Sequence, residues 1–319
     1  MTDLSAQLQE QVREARAAGR SLAICTNRSK PWVALASKTD VLSLAGHRGV
    51  ISYDPTELVI TVRAGTSLAE IDAMLAEQGQ MLAMEAPDFN GKSSIGGAVA
   101  LGWAGSRSTF AGGVRDAVLG LRMINGLGED LQFGGRVMKN VAGFDVSRLM
   151  VGSSGRLGGI LELSLKVIPR PEQEITLQWS YPHLAETQVA TASWTALGYP
   201  LSGASFYDGL LKARFSGSAA MLAEVTARLG GESVDNDYWR QLQRLELPLF
   251  HHGWGDDKLF DCNGEVCWTA HNRCRGAGPV VGLAEGPQAE AGASAVAGLQ
   301  ARVAAAFDPA AVFQSPRAA

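Results

Sequence analysis

Nearly half of the chain's 37 glycines fall between Gly91 and Glu162, in the run GKSSIGGAVALGWAGSRSTFAGGVRDAVLGLRMINGLGEDLQFGGRVMKNVAGFDVSRLMVGSSGRLGGILE. Glycine weakens a helix or strand interior by about 0.5–1 kcal/mol relative to alanine. Such density is tolerated where the backbone must turn through positive φ or let something approach closely. On glycine content alone two explanations stay open. Either the stretch wraps a phosphate-bearing ligand, or it is a set of tight turns between short strands.

The order of residues favours the ligand. Ser93-Ser94-Ile95-Gly96-Gly97-Ala98-Val99-Ala100 sets two hydroxyls before paired glycines and a small apolar run, so backbone N–H groups can converge on an anion where a helix begins. A second cluster, Gly152-Ser153-Ser154-Gly155-Arg156-Leu157-Gly158-Gly159-Ile160, leads into the alternating strand Leu161-Leu163-Leu165-Val167. Neither has a nucleotide-binding spacing: no G-x-G-x-x-G follows a strand, and no G-x-x-x-x-G-K-[ST] occurs.

At IGGAVALGWAG, then GGVRDAVLG, then FGGRVMKNVAGFDVSRLMVGSSGRLGGILELSLKVIPRP, the chain resembles the flavin-binding E subunit of bacterial glycolate oxidase, a family with the PCMH-type (vanillyl-alcohol-oxidase) FAD-binding fold. The resemblance is close over residues 46–171, looser to 250, and returns at Ala306-Phe307-Asp308-Pro309. It implies an α+β architecture: a two-subdomain PCMH-type FAD-binding domain over 1–171, a reduced, divergent α+β cap over 172–288, and a C-terminal helix and tail over 289–319. It implies FAD as the cofactor, lying between the two subdomains. By the same resemblance Ser29, Lys30, Ser93, Ser94, Ile95, Gly96, Gly97, Arg107, Asn140, Gly152, Ser153, Gly155, Gly158 and Ile160 belong to the cofactor site.

The implied function is relay of electrons during oxidation of glycolate to glyoxylate, beside a D-type FAD-binding catalytic subunit and an iron–sulfur F-type subunit. The alternative is a scaffold subunit of the same complex with weak or lost flavin binding. One departure from the family favours that alternative. In Thr26-Asn27-Arg28-Ser29-Lys30-Pro31-Trp32, Ser29, Lys30 and Trp32 match the family's pyrophosphate loop, but its three glycines are replaced. Such a loop needs φ > 0 at one or more positions, and of the substitutes Asn27 adopts that conformation most readily. Arg28 is either a compensating contact to phosphate or a solvated side chain.

With 319 residues, 46% of them hydrophobic, the chain is long enough for two cores. A net charge of −4 without a concentrated Lys/Arg face argues against nucleic acid as the main partner. No basic region followed by an apolar run opens the sequence, and no segment approaches the ~18 apolar residues needed to span a bilayer. A cytoplasmic location is expected, at the inner face of the membrane only through partners. Four cysteines make no disulfide framework.

Along the chain, Leu4, Leu8, Val12 and Ala15 share a helix face that Gly19 is placed to end, and Ser21 to Cys25 reads as a buried strand. Residues 50–53 and 58–62 read as strands around a turn. Ser67 with Glu70 opens a helix buried through Leu68, Ile71 and Leu75 and closed by Gly79. This pattern suggests an α/β subdomain, with Asp72 and Glu77 facing solvent. From Gly91 to Pro171 short strands and glycine turns suggest a mainly antiparallel second subdomain, with a turn at Ile124-Asn125-Gly126-Leu127-Gly128. Pro169-Arg170-Pro171 marks the boundary. Beyond it, residues 176–179 and 211–215 suggest strands, Met221 to Leu229 a helix, and 289–307 another.

Other chemistry is thin. Cys262, Cys267, His271 and Cys274 are close in sequence but fit no metal-binding signature, so reduced cysteines are the expectation over zinc or an iron–sulfur cluster. His251-His252 offers a base for proton abstraction, but no accompanying histidine constellation is legible, so the hydroxy acid is expected to be oxidised on another subunit. No catalytic residue is assigned. Arg115-Asp116 reads as an internal ion pair or a phosphate contact. Lys139 and Asn140 match the family's Lys-Asn, where they contact flavin or fix a loop.

Overall fold

The computed structural model describes residues 3–30, 33–34, 40–135, 145–247, 259–261, 266–269, 280–282, 286–287, 294–313 and 317–318. Helix α1 (Ser5–Ala17) buries Leu8, Val12 and Ala15, as its spacing predicts, and Gly19 leaves it at φ 61°. Strands β1 (Leu22–Cys25) and β3 (Asp40–Ser43) pair in parallel, with the short β2 (Val33–Ala34) between them in sequence. The hairpin β4 (Val50–Asp54) and β5 (Val59–Arg63) follows. Next comes α2 (Leu68–Glu77), whose first turn is capped by the Ser67 hydroxyl accepting from the Glu70 N–H at 3.1 Å.

After β6 (Gln80–Met81) the chain turns at Phe89–Gly91 and enters three short helices, α3 (Ile95–Leu101), α4 (Ser108–Ala111) and α5 (Val114–Ala117). The expected turn at 124–128 joins β7 (Val118–Ile124) to β8 (Asp130–Gly134). A short α6 (Val146–Leu149) precedes β9 (Gly159–Lys166). The five strands run in the order β4-β5-β9-β7-β8, every pairing antiparallel. The β4–β5 hairpin therefore joins the glycine-rich strands in one sheet. The sequence suggested a separate α/β unit, but β5 finds its partner β9 about a hundred residues later, with Ile60 opposite Leu165 and Val62 opposite Leu163. All four side chains are fully buried, and each contributes about 1.5–3 kcal/mol on leaving water.

Strand β10 (Ile168–Pro169) pairs back to β6, and the chain then builds a second layer. This comprises β11 (Gln173–Ser180), α7 (Leu184–Ala196), β12 (Leu201–Tyr207), β13 (Leu210–Gly217), α8 (Ala219–Leu229), β14 (Glu232–Val234) and α9 (Asp237–Arg244). The sheet β14-β11-β13-β12 continues through β15 (Leu259–Asp261), β16 (Val266–Thr269), β17 (Val280–Gly282) and β18 (Gly286–Pro287). Its own core includes Leu177, Trp194, Leu211, Phe215 and Val225. Helix α10 (Ser294–Phe307) then brings the chain back to the first layer. Asp308 accepts from the N–H groups of Val312 (2.9 Å) and Phe313 (2.7 Å), and the Val312 carbonyl accepts from the Leu22 N–H. Strand β19 (Arg317–Ala318) pairs with β2.

Candidate functional site

Helix α3 is short because its sequence is glycine-rich, and its start is fixed by a side chain. The Ser94 hydroxyl accepts from the Gly97 N–H at 3.3 Å and donates to Thr26 Oγ1 at 2.7 Å. The loop after β1 is thereby tied to the helix start. Lys30 comes from the same loop. A Cβ on Gly97 would lie 3.1 Å from Ser94 Oγ, 3.2 Å from Lys30 Nζ and 3.4 Å from Thr26 Oγ1. At Gly97 the missing side chain leaves bare backbone facing an ammonium and two hydroxyls.

No carboxylate among the described residues forms an ion pair with Lys30; its Nζ stands 5.5 Å from the centre of the Phe89 ring. Burial pushes its pKa down to about 8. A half-buried cation with no carboxylate partner among the described residues, beside backbone left bare by Gly97, is a setting that favours an anion.

The second glycine cluster meets the other end of α3. The Gly152 N–H donates to the Val99 carbonyl at 3.1 Å and the Ser154 N–H to that of Ala100 at 2.9 Å. A Cβ on Gly102 would lie 3.0 Å from Gly152 Cα. Ser153 is buried and its hydroxyl has no hydrogen-bond partner, a cost that a ligand oxygen would remove. Gly155 faces Ile24 of β1. Gly158 packs on the Ile124 carbonyl of β7 and Ile160 is buried opposite Met123, so both meet the sheet. Ser93 is buried and donates to the Pro87 carbonyl; Ile95 is buried, and Gly96 abuts Ala64.

Thus Lys30, Ser94 and Gly97 converge, and Gly152, Ser153 and Gly155 lie on the adjoining turn. Ser29 is half-buried in the same loop. Asn140, with Lys139, lies outside the described residues, as do His251, His252, Cys262, His271 and Cys274. Of Cys267 only the strand is described.

Arg107 is elsewhere. Its guanidinium donates to Glu85 (3.1 Å) and Glu174 (2.6 Å), and its own N–H donates to Glu85 (3.0 Å). Burial works against its charge, but the two carboxylates outweigh that and raise its pKa, while Arg107 and Arg214 together hold Glu174 below the usual range against burial. Its charge is therefore already answered within the protein. The residue chemistry at that point is an ion-pair cluster joining the two layers, and sequence reasoning missed it because Glu85, Arg107, Glu174 and Arg214 are scattered along the chain.

Three smaller readings change. Arg28, and not Asn27, holds the left-handed backbone in the loop, at φ 50°. Asp116 accepts from the Gly113 N–H at the start of α5 while the Arg115 side chain is exposed, so they make no internal ion pair. Asp72 lines a cavity of about 290 Å³ with Arg107, Arg170, Arg214 and Trp239 instead of facing solvent. Burial, reinforced by Asp88, pushes its carboxyl up to about 6.

These features define a flavoprotein fold of the PCMH type. Residues 4–134 match the family model described as "FAD binding domain". The chain is 44% identical over 248 residues to glycolate oxidase subunit GlcE of Escherichia coli (strain K12), covering 78% of this chain and 71% of that protein. The chain belongs to the GlcE family. It is also 30% identical over 177 residues to glycolate oxidase subunit GlcD of Bacillus subtilis (strain 168), covering 52% of this chain and 37% of that one. To D-lactate dehydrogenase of Anaerostipes hadrus it is 33% identical over 147 residues, 46% of this chain and 30% of that one. Among solved structures, an alkyldihydroxyacetonephosphate synthase superposes with a TM-score of 0.60 at 16% identity, over 75% of this chain and 52% of that one. FAD is the cofactor of this fold, and the residues present fit it: the orphaned Ser153 hydroxyl, the bare Gly97 and the uncompensated Lys30 each match a group rich in phosphate oxygens. No helix among the described residues is long and apolar enough to cross a membrane.

Proposed function

We propose that this chain is the FAD-carrying subunit of a multi-subunit glycolate oxidase and passes electrons on during oxidation of glycolate to glyoxylate. Its partners in this reading are a D-type flavoprotein that performs the oxidation and an iron–sulfur F-type subunit, with the complex at the inner face of the cell membrane. The observation that carries it is the convergence of Lys30, Ser94 and Gly97 at the start of α3. FAD, when bound, supplies the capacity to accept and release electrons. Lys30 neutralises phosphate charge, Ser94 and Thr26 fix the helix start, and Ser153 donates its otherwise unused hydroxyl proton. The sequence shows no histidine constellation suited to hydroxy-acid oxidation. The isolated chain is therefore expected to show flavin bands near ~450 nm yet no glycolate-dependent reduction of an artificial acceptor. Steady turnover by the pure chain overturns the division of labour, and a colourless chain that takes up no added FAD overturns the cofactor site.

A second reading, a scaffold with weakened flavin binding, is favoured by Arg28. A non-glycine residue at φ 50° carries a cost of about 1–3 kcal/mol where glycine carries none.

Lys30 gives the proposal a pH signature. Its folded pKa of about 8 lies below the ordinary 10.5, so the cost of burying its charge is fully present below pH 8 and is relieved as pH rises toward 10.5. Stability without cofactor should therefore rise across that window. Flavin affinity should run the other way, because phosphate recruits the protonated form: about tenfold weaker at pH 9 than at pH 7. A titration of FAD by fluorescence quenching checks this, and Lys30→Met should bind weakly with no such slope.

A further inference from the structure

Between β6 and α3 the chain has little regular structure, yet Leu82, Ala83, Met84, Ala86, Asp88, Phe89 and Ser93 are all buried. Two non-glycine residues here hold left-handed backbone, Glu85 at φ 42° and Phe89 at φ 32°. Such conformations persist only where the surroundings impose them. At Glu85 the imposing contacts are identifiable. Its carboxylate accepts from the Arg107 N–H at 3.0 Å and Arg107 Nε at 3.1 Å, and Arg214 Nη2 donates to it from 3.0 Å, with the pair closing to 2.9 Å at the other oxygen. Its backbone is equally confined: a Cβ on Gly105 would lie 2.6 Å from the Glu85 carbonyl oxygen.

Arg214 belongs to the other layer, on β13. It is fixed there by the Ser202 carbonyl (2.9 Å) and hydroxyl (3.2 Å) and by the Trp239 ring, 4.8 Å from its Cζ. Downstream of Glu85 the segment leads directly to the flavin site. The Ser93 N–H donates to Asp88, its hydroxyl donates to the Pro87 carbonyl, Phe89 faces Lys30, and Ser94 caps α3.

We propose that Glu85 is a positioning residue through which the cap, by way of Arg214, sets the path of residues 85–94 and with it the flavin site. The inference rests on the flavin reading of that site. A plain ion pair gluing the layers together would need only the carboxylate. A positioning role also requires that losing the carboxylate disturb residues 86–95 and the flavin site, and that difference can be measured.

Glu85→Ala removes the carboxylate and keeps a Cβ at positive φ, whereas Glu85→Gly removes the carboxylate and adopts that φ freely. The measurements are FAD affinity by fluorescence titration and hydrogen exchange at the amides of residues 86–95, in the full chain. In Glu85→Ala, affinity is expected to fall about tenfold or more and exchange across 86–95 to accelerate. In Glu85→Gly, which severs the same link to Arg214, affinity is expected to fall by a similar factor, its freedom at positive φ sparing only the backbone strain. Parental affinity and exchange in either variant overturn the proposal, because the path of the segment then does not depend on the carboxylate that meets Arg214. If the parent takes up no FAD, the flavin reading fails, and exchange across 86–95 relative to the parent alone decides whether Glu85 positions the segment. Should both Glu85 variants fail to fold, Arg214→Gln carries the test. Faster exchange in 86–95 with weaker FAD binding supports the coupling, and parental exchange and affinity refute it.

Discussion

Gly96→Ala is expected to cripple the fold while Gly97→Val empties the site, although the two glycines are neighbours on one short helix. A Cβ on Gly96 would lie 2.6 Å from Ala64 Cβ and 2.9 Å from the Ala64 carbonyl oxygen, next to the hydrogen bond that oxygen accepts from the Gly96 N–H. Backbone cannot swing aside, so α3 must move away from the end of the β5 strand, and overpacking of this kind costs about 1–3 kcal/mol. Urea denaturation should show the loss at full strength with or without FAD. At Gly97 the near atoms are the tips of Ser94, Lys30 and Thr26 side chains, which can yield by changing rotamer. Valine there should leave the urea midpoint nearly unchanged, because valine ranks slightly above glycine in helix propensity and the difference is below about 1 kcal/mol. It should lower FAD affinity about a hundredfold, since the branch fills the approach and displaces the ammonium. Parental flavin stoichiometry in a folded Gly97→Val protein would show that nothing approaches the backbone there.

The second large effect is expected at Asp308→Ala. The Asp308 carboxylate is the acceptor for two buried N–H groups, those of Val312 and Phe313. Removing it leaves both donors without a partner, at about 1–3 kcal/mol each, partly offset as the segment loosens toward water. Phe313 and the Val312 carbonyl that accepts from Leu22 should loosen together, so the loss should spread into the β1 region. A thermal melt should register a drop of several degrees, with Asp308→Asn intermediate because it keeps one acceptor oxygen. No change in the alanine variant would mean that residues 308–313 do not close this core in solution.

Sequence legibility here follows the range of the interactions concerned. The helix after Ser67 and the turn at 124–128 are local: a cap, a periodic face or an Asn-Gly pair lies within a few residues of what it specifies. The register of β5 on β9 is not local, and neither is the cluster of Glu85, Arg107, Glu174 and Arg214. Helix α7 escaped notice because its buried face is Thr187, Thr191 and Trp194, with Val189 and Leu197 left exposed, so its apolar periodicity is weak. Asp72 looked like a solvated helix carboxylate because the wall that covers it, Trp239 and Gln243 of α9, comes from the other layer. Around the cofactor, residue types alone suggested an anion site. Only the folded chain shows that Lys30 lacks a carboxylate partner among the described residues, and that Ser153 is left with a hydroxyl to offer.

Val312 and Phe313 belong to the same apolar cluster as Leu8, Leu42 and Ile60, whereas the β11 to α9 layer, with its own core, lies between them in sequence. The flavin-binding unit is thus discontinuous along the chain. During synthesis its strands and glycine loops emerge before residues 308–313, with the whole intervening layer made between them. A nascent chain stalled before α10 should therefore present the loops of the site without the packing that holds them.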